Sequence, residues 1–291
     1  MKRLWLLSTS LISALLISAP VHADSPKGLS ITPTRMEQSV AAGKTSTGSF
    51  IVGNQTDEPI VVRLSVKQFS VTDYAYDYVF QNPKDDHVKL RDHEVRVEAH
   101  ATKRLWYDVT FPRTATPGGY YYAIFASTDV AQEGSAIAQT VQATTLLYVK
   151  LGGKFIYTSV WKNDSLPFVV MGSDIPYKFD LKNTGNVHFT GLFYGQVEGL
   201  FGKGQEVGVD HLLMPGAVRS ISGTVPSPIM PGIYRVTYGY KVDFASIINV
   251  KSAYIIYLPP WSIAFAMLIA YALWRSRNRW PAWRRLHLRK K

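Results

Sequence analysis

The chain has 291 residues, no cysteine, and a net charge of +11 from 32 Lys and Arg against 21 Asp and Glu. Lys2 and Arg3 near the start and eight Lys or Arg after residue 274 carry ten of those charges, so the body is almost neutral and lacks the basic face a nucleic-acid partner needs. The absence of cysteine excludes disulfides and thiolate chemistry, and folding must rest on a core that the 46% apolar composition can supply.

Residues 1–23 read as a secretory signal. Lys2 and Arg3 open it, an apolar run follows, and Val21-His22-Ala23 offers small residues for cleavage before Asp24. The next 230 residues suffice for two sandwich-sized domains, expected at 24–151 and 152–253 with the break at Gly152-Gly153. Strand signals dominate. Val62, Leu64 and Val66 alternate with Arg63, Ser65 and Lys67, and Leu105, Tyr107, Val109 and Phe111 alternate with Trp106, Asp108 and Thr110. Period two with β-branched and aromatic residues marks half-buried strands. No helical period is evident before residue 254.

The body also repeats. A strand, an Asn-containing turn and a second strand occur around Asn54-Gln55-Thr56 and again around Asn183-Thr184-Gly185. Pro117-Gly118-Gly119-Tyr120 and Pro231-Gly232-Ile233-Tyr234 each open a long aromatic strand. The first copy is longer, by an insertion within 70–94. This pattern predicts an all-β fold: two tandem immunoglobulin-like β-sandwiches, followed by a single C-terminal transmembrane helix.

That helix is expected at 254–274, an uncharged stretch interrupted by Pro259 and Pro260. Trp261, Trp274, Arg275 and Arg277 are the residues expected at its membrane interfaces, and the acid-free tail 275–291 is expected on the cytoplasmic side. The body would then lie outside the cytoplasm and membrane lipid would be one partner. Leu258-Pro259-Pro260-Trp261-Ser262 has Trp and Ser where a sortase signal needs Thr and Gly, which argues against covalent attachment to a wall.

The segment LSITPTRMEQSVAAGKTSTGSFIVGNQTDEPIVVRLSVKQFS (residues 29–70), with its G-x-F-x-V-x-N stretch, resembles the opening of bacterial cell-surface proteins of the WxL-interacting type. The run from Pro117 to Ala126 resembles their late strand. The resemblance implies a signal peptide, a peptidoglycan-associated sandwich, a second sandwich that binds a host or partner protein, a membrane helix and a basic end. It fixes no binding residue.

The most unusual local pattern is Tyr74, Tyr76 and Tyr78. Alternation places them on one face of a strand, where aromatic rings can stack on sugar or on a partner protein, or simply pack against a neighbouring strand. Asp85, Asp86, His87, Asp92, His93 and Glu94 fit no metal-ligand spacing and read as a solvated loop. No G-x-S-x-G is present. Gly202-Lys203-Gly204 lacks the helix that a phosphate loop requires and reads as a hairpin turn. No catalytic residue, metal or cofactor is expected. The sequence thus points to a non-enzymatic membrane-anchored protein that holds cell-wall polymer (peptidoglycan) or another surface protein. A pilus- or secretion-associated chaperone is one alternative, and a sensory or carbohydrate-modifying ectodomain, with Asp85 and Glu94 as its carboxylate pair, is another.

Overall fold

The computed structural model describes residues 28–131, 138–199, 202–242 and 247–287; the expected signal at 1–23 and the last four residues of the tail lie outside these. The described chain is all-β apart from one helix. Its first ten strands are β1 (Leu29–Thr32), β2 (Arg35–Val40), β3 (Thr45–Asn54), β4 (Ile60–Val71), β5 (Tyr78–Gln81), β6 (Val88–Leu90), β7 (Glu94–Val97), β8 (Thr102–Thr110), β9 (Gly118–Ala131) and β10 (Ala138–Leu151). They form two sheets, β1-β3-β8-β6 and β2-β10-β9-β4-β5, with β7 also on β4. Val52, Phe50, Leu105 and Val109 of one sheet meet Val62, Ile124, Leu147 and Val149 of the other in one buried core. This is the alternation written into β4 and β8: Leu105, Tyr107 and Val109 point inward while Trp106 stays exposed.

A second pair of sheets follows. Its strands are β11 (Ser159–Ser165), β12 (Val169–Val170), β13 (Asp174–Asn183), β14 (Phe189–Gly199), β15 (Gly202–Lys203), β16 (Val207–Leu213), β17 (Val218–Pro226), β18 (Gly232–Val242) and β19 (Ile247–Tyr257). They are ordered β11-β13-β17 and β12-β19-β18-β14-β15, with β16 on β14. Phe179, Leu181, Phe193, Val236 and Tyr240 lie in a separate core between them. Gly202-Lys203, expected as a turn, is instead the short strand β15, antiparallel to Glu198-Gly199 of β14.

The repeat has a physical basis in two buried asparagines. Asn54 ends β3; its Nδ2 donates to the carbonyls of Glu58, Val97 and Glu98, and its Oδ1 accepts from Thr56 N. Asn183 ends β13; its Nδ2 donates to Val187 O and Leu213 O, and its Oδ1 accepts from Gly185 N. Each side chain replaces the ladder where the chain leaves one sheet for the other, a corner where backbone groups lack strand partners.

Three expectations need correction. First, Tyr74, Tyr76 and Tyr78 do not share a strand face. Only Tyr78 lies in a strand, and Tyr74 and Tyr76 have φ of 64° and 63°. Left-handed backbone breaks the two-residue alternation on which the expected face depends. Second, residues 254–274 are not one helix. Residues 254–257 complete β19, paired with residues 232–235 of β18 and, at Ile256 and Tyr257, with β12. The helix α1 (Pro260–His287) starts only after Pro259, where a proline fits the first turn. Among the described residues no helix is long and apolar enough to cross a membrane. Third, the stretch from Asp85 to Glu94 is not one loop, since β6 and the start of β7 form within it. Asp85 precedes β6 in one sheet, beside His87, whereas Glu94 lies on β7 in the other, 3.9 Å from Arg63. They form no carboxylate pair.

Candidate functional site: the cleft between the sandwiches

The two sandwiches meet along a seam clasped by the turn 72–77, where alternation predicts a strand. Tyr74 N donates to Val218 O (2.8 Å), Val218 N donates to the Asp73 carboxylate (2.7 Å), and Met214 N donates to the Tyr76 hydroxyl. The guanidinium of Arg219 lies 4.4 Å above the Tyr76 ring. Burial, opposed by these partners, raises the Tyr76 phenol above its ordinary value. These contacts fix the unusual backbone of Tyr74 and Tyr76: tertiary pairing overrides local preference. A second clasp uses Gly118 and Asn186. Gly119 N donates to Asn186 O, and Asn186 Nδ2 donates to the carbonyls of Pro117 and Lys154. A Cβ at Gly118 would sit 2.7 Å from Asn186 O, so this approach needs glycine.

Between these clasps the outer faces of β2 and β10 carry a charged cluster. Thr32-Pro33 turns the chain from β1 in one sheet to β2 in the other. The Thr145 hydroxyl donates to Pro33 O at this crossing (2.6 Å). Arg35 then opens β2, parallel to β10 and in register with Leu146. Its guanidinium lies 4.3 Å above the Tyr148 ring and donates to Glu37. Lys150 donates to the other Glu37 oxygen (3.4 Å). Burial raises the Glu37 carboxyl, but Lys150 and Arg35 outweigh it, and the group stays ionised below the usual carboxylate range.

His188, 2% exposed, reaches the cluster from the second sandwich. Both its backbone N–H and its Nδ1 meet the Tyr121 hydroxyl, at 2.9 and 3.1 Å. Its Nε2 is buried, makes no hydrogen bond among the described residues and lies 3.9 Å from Glu37. Burial, then Lys150, lower its pKa to about 4 against the pull of Glu37, so the ring is neutral at pH 7. Tyr78, Tyr148, Thr190, His211 and Arg219 extend the site into a cleft of about 520 Å³ that Arg35 also lines.

Beside this cluster the ladder stops. β2 covers β10 only from Leu146 to Leu151, while β10 itself runs back to Ala138 along β9. Residues 138–144 therefore have β9 on one side and no described strand on the other. Leu146 N donates to Thr34 O and Gly152 N to Val40 O. The even-numbered amides thus face the β2 side, and those of Thr140, Gln142 and Thr144 face the open edge. The arrangement offers hydrogen-bond donors and acceptors in a row, ending at two cations. No group of three or more His, Asp and Glu among the described residues could hold a metal.

Of the residues singled out from the sequence, Tyr76 and Tyr78 line this cleft. Tyr74 contributes to the seam through its backbone, and its ring is half exposed. Trp261, Trp274, Arg275 and Arg277 lie on α1, exposed and remote in sequence from the cleft residues. Arg35, Glu37, Lys150 and His188 were missed. The available signal was Lys150 itself, a single charge inside the apolar run LLYVKL.

No family model and no curated protein matches the chain. Solved structures do. The class 5 fimbriae chaperone CfaA is 10% identical with a TM-score of 0.47, over 80% of this chain and 100% of that one. The E. coli chaperone DraB is 13% identical with a TM-score of 0.38, over 78% and 98%. The Pseudomonas aeruginosa CupB2 chaperone is 11% identical with a TM-score of 0.36, over 77% and 98%. At such identities and scores the likeness carries no function across.

Proposed function

We propose that this chain is a non-enzymatic, extracytoplasmic protein whose two immunoglobulin-like sandwiches bind an extended segment of a secreted or pilus subunit by strand addition, as an assembly chaperone. The observation that carries the reading is the open edge of β10 at 138–144, which ends at Arg35 and Lys150. An unpaired edge is a template for another strand, whose main chain supplies affinity and whose alternate side chains supply specificity. A strand laid there in the direction of β2 runs toward Arg35. A carboxylate at its end would meet a site with two cations and only one neighbouring carboxylate, Glu37. The signal-like leader at 1–23 supports a location outside the cytoplasm.

The test uses the full chain and the secreted proteins of its host. Gln142→Pro with Thr144→Pro removes two outward donors while sparing the β9 ladder, because proline is tolerated on an edge. Loss of a co-purifying subunit, with unchanged folding, is the expected result. Undiminished capture by this variant, or retention of peptidoglycan with no subunit, would point instead to a wall-binding or surface-protein role.

A further inference from the structure

We infer that the end of the second sandwich from which α1 emerges is a membrane-docking surface for an anionic lipid bilayer, formed by the rim loops 166–172 and 227–233 together with α1. These loops converge on the base of the helix. Ile256 N donates to Phe168 O and Leu258 N to Val170 O. Ser227 N donates to Ser173 O, the Ser227 hydroxyl donates to the Tyr257 hydroxyl, and Ile233 pairs with Ile256 across β18 and β19. At this one end the side chains of Ile229, Ile233 and Phe168 are 85%, 69% and 66% exposed, and Met171 and Met230 are each more than half exposed. Contiguous large apolar residues in water mark a surface that meets something else.

Continuity and charge identify the occupant. The rim passes directly into α1, where Phe265, Met267, Leu268, Leu273 and Trp274 are exposed. From residue 254 to the end the chain has no acid and eight Lys or Arg, all after residue 274. A helix whose first half is apolar in sequence and whose second half carries Arg275, Arg277, Arg279, Arg284 and Arg285 fits acyl chains beneath anionic headgroups. Two carboxylates belong to this end: Glu198 stands across from Lys203 and Arg235 in the ladders, and Asp174 accepts from the Ser173 hydroxyl; the eight Lys and Arg after residue 274 outnumber them. The body then stands with this end against the bilayer, and the rim sets its orientation.

The chain has no cysteine, which allows a clean test on the full protein. Single variants Ile229→Cys, Leu268→Cys and, in the first sandwich, Asp57→Cys are labelled with a polarity-sensitive dye and mixed with vesicles. On phosphatidylglycerol vesicles the dyes at 229 and 268 are expected to shift to the blue and to be quenched by nitroxide lipid, while the dye at 57 does neither. Vesicles of phosphatidylcholine alone are expected to bind about tenfold or more weakly. A dye at 229 that stays in water while that at 268 enters lipid would overturn the rim's role. Both dyes remaining in water would overturn the whole surface. Ile229→Asp with Met230→Asp is expected to weaken vesicle binding about tenfold; unchanged binding would contradict the proposal.

Discussion

Asn54 and Asn183 each satisfy several backbone groups that have no strand partner at their corners. Replacing either with Ala leaves two or more buried carbonyls and an amide without partners, and is expected to cost about 2–4 kcal/mol in urea denaturation. Asn183→Asp is expected to be no milder, because a carboxylate keeps the acceptor for Gly185 but opposes the carbonyls of Val187 and Leu213. These asparagines were legible in the sequence, since the same residue type recurs at the same place between two strands. His188 was not legible, because its importance comes from partners on β2, β9 and β10. Its pKa falls from 6.5 to about 4 on folding. In that window the unfolded chain takes up a proton that the folded chain does not, so stability is lost as pH falls from 6.5 toward 4. The loss is about 3 kcal/mol, and His188→Gln is expected to flatten that slope in denaturation curves measured across the window.

At the scale of elements, the alternation in β4 and β8 states correctly which side chains point inward, because those strands are extended and one face is apolar. The same rule misplaces Tyr74 and Tyr76, because contacts with a segment more than 130 residues away hold them in a left-handed turn. Hydropathy in turn misplaces residues 254–257. These are as apolar as a membrane segment, but their main-chain groups pair with β18, and Ile255 and Tyr257 fill the second core. Hydropathy alone cannot distinguish a core strand from a helix over so short a run. The open edge of β10 was not legible at all, since it depends on where β2 begins. Its two sides are expected to respond differently to proline. Val141→Pro, which removes an inward donor to β9, is expected to destabilise by about 3 kcal/mol or more. Gln142→Pro, facing the open edge, is expected to cost less than about 1 kcal/mol. Paired thermal melts read the difference.

At the scale of the whole molecule, the turn 72–77 determines how the sandwiches sit against each other, and so the shape of the cleft beside Arg35. Phe69, Ala123 and Tyr148 from one sandwich and Met214 and Ala217 from the other bury a third apolar cluster across the seam. Asp73→Ala with Tyr76→Phe removes the hydrogen bonds to the amides of Val218 and Met214 and is expected to weaken the seam by about 2–4 kcal/mol. Calorimetry is expected to resolve two transitions where the native chain gives one more closely coupled transition. The sequence repeat made two sandwiches legible, but their shared seam was not, because the turn 72–77 that clasps it lies in the part of the first copy that the second lacks, and its partners are more than 130 residues away. Strand addition to β10 is the central claim, and amide hydrogen exchange on the complex with a co-purified secreted subunit tests it most directly. The amides of Thr140, Gln142 and Thr144 are expected to exchange quickly in the free protein and to become protected on binding, while those of Val141 and Ala143 are slow in both states. A bound subunit that leaves the three outward amides as fast as in the free protein would contradict the account.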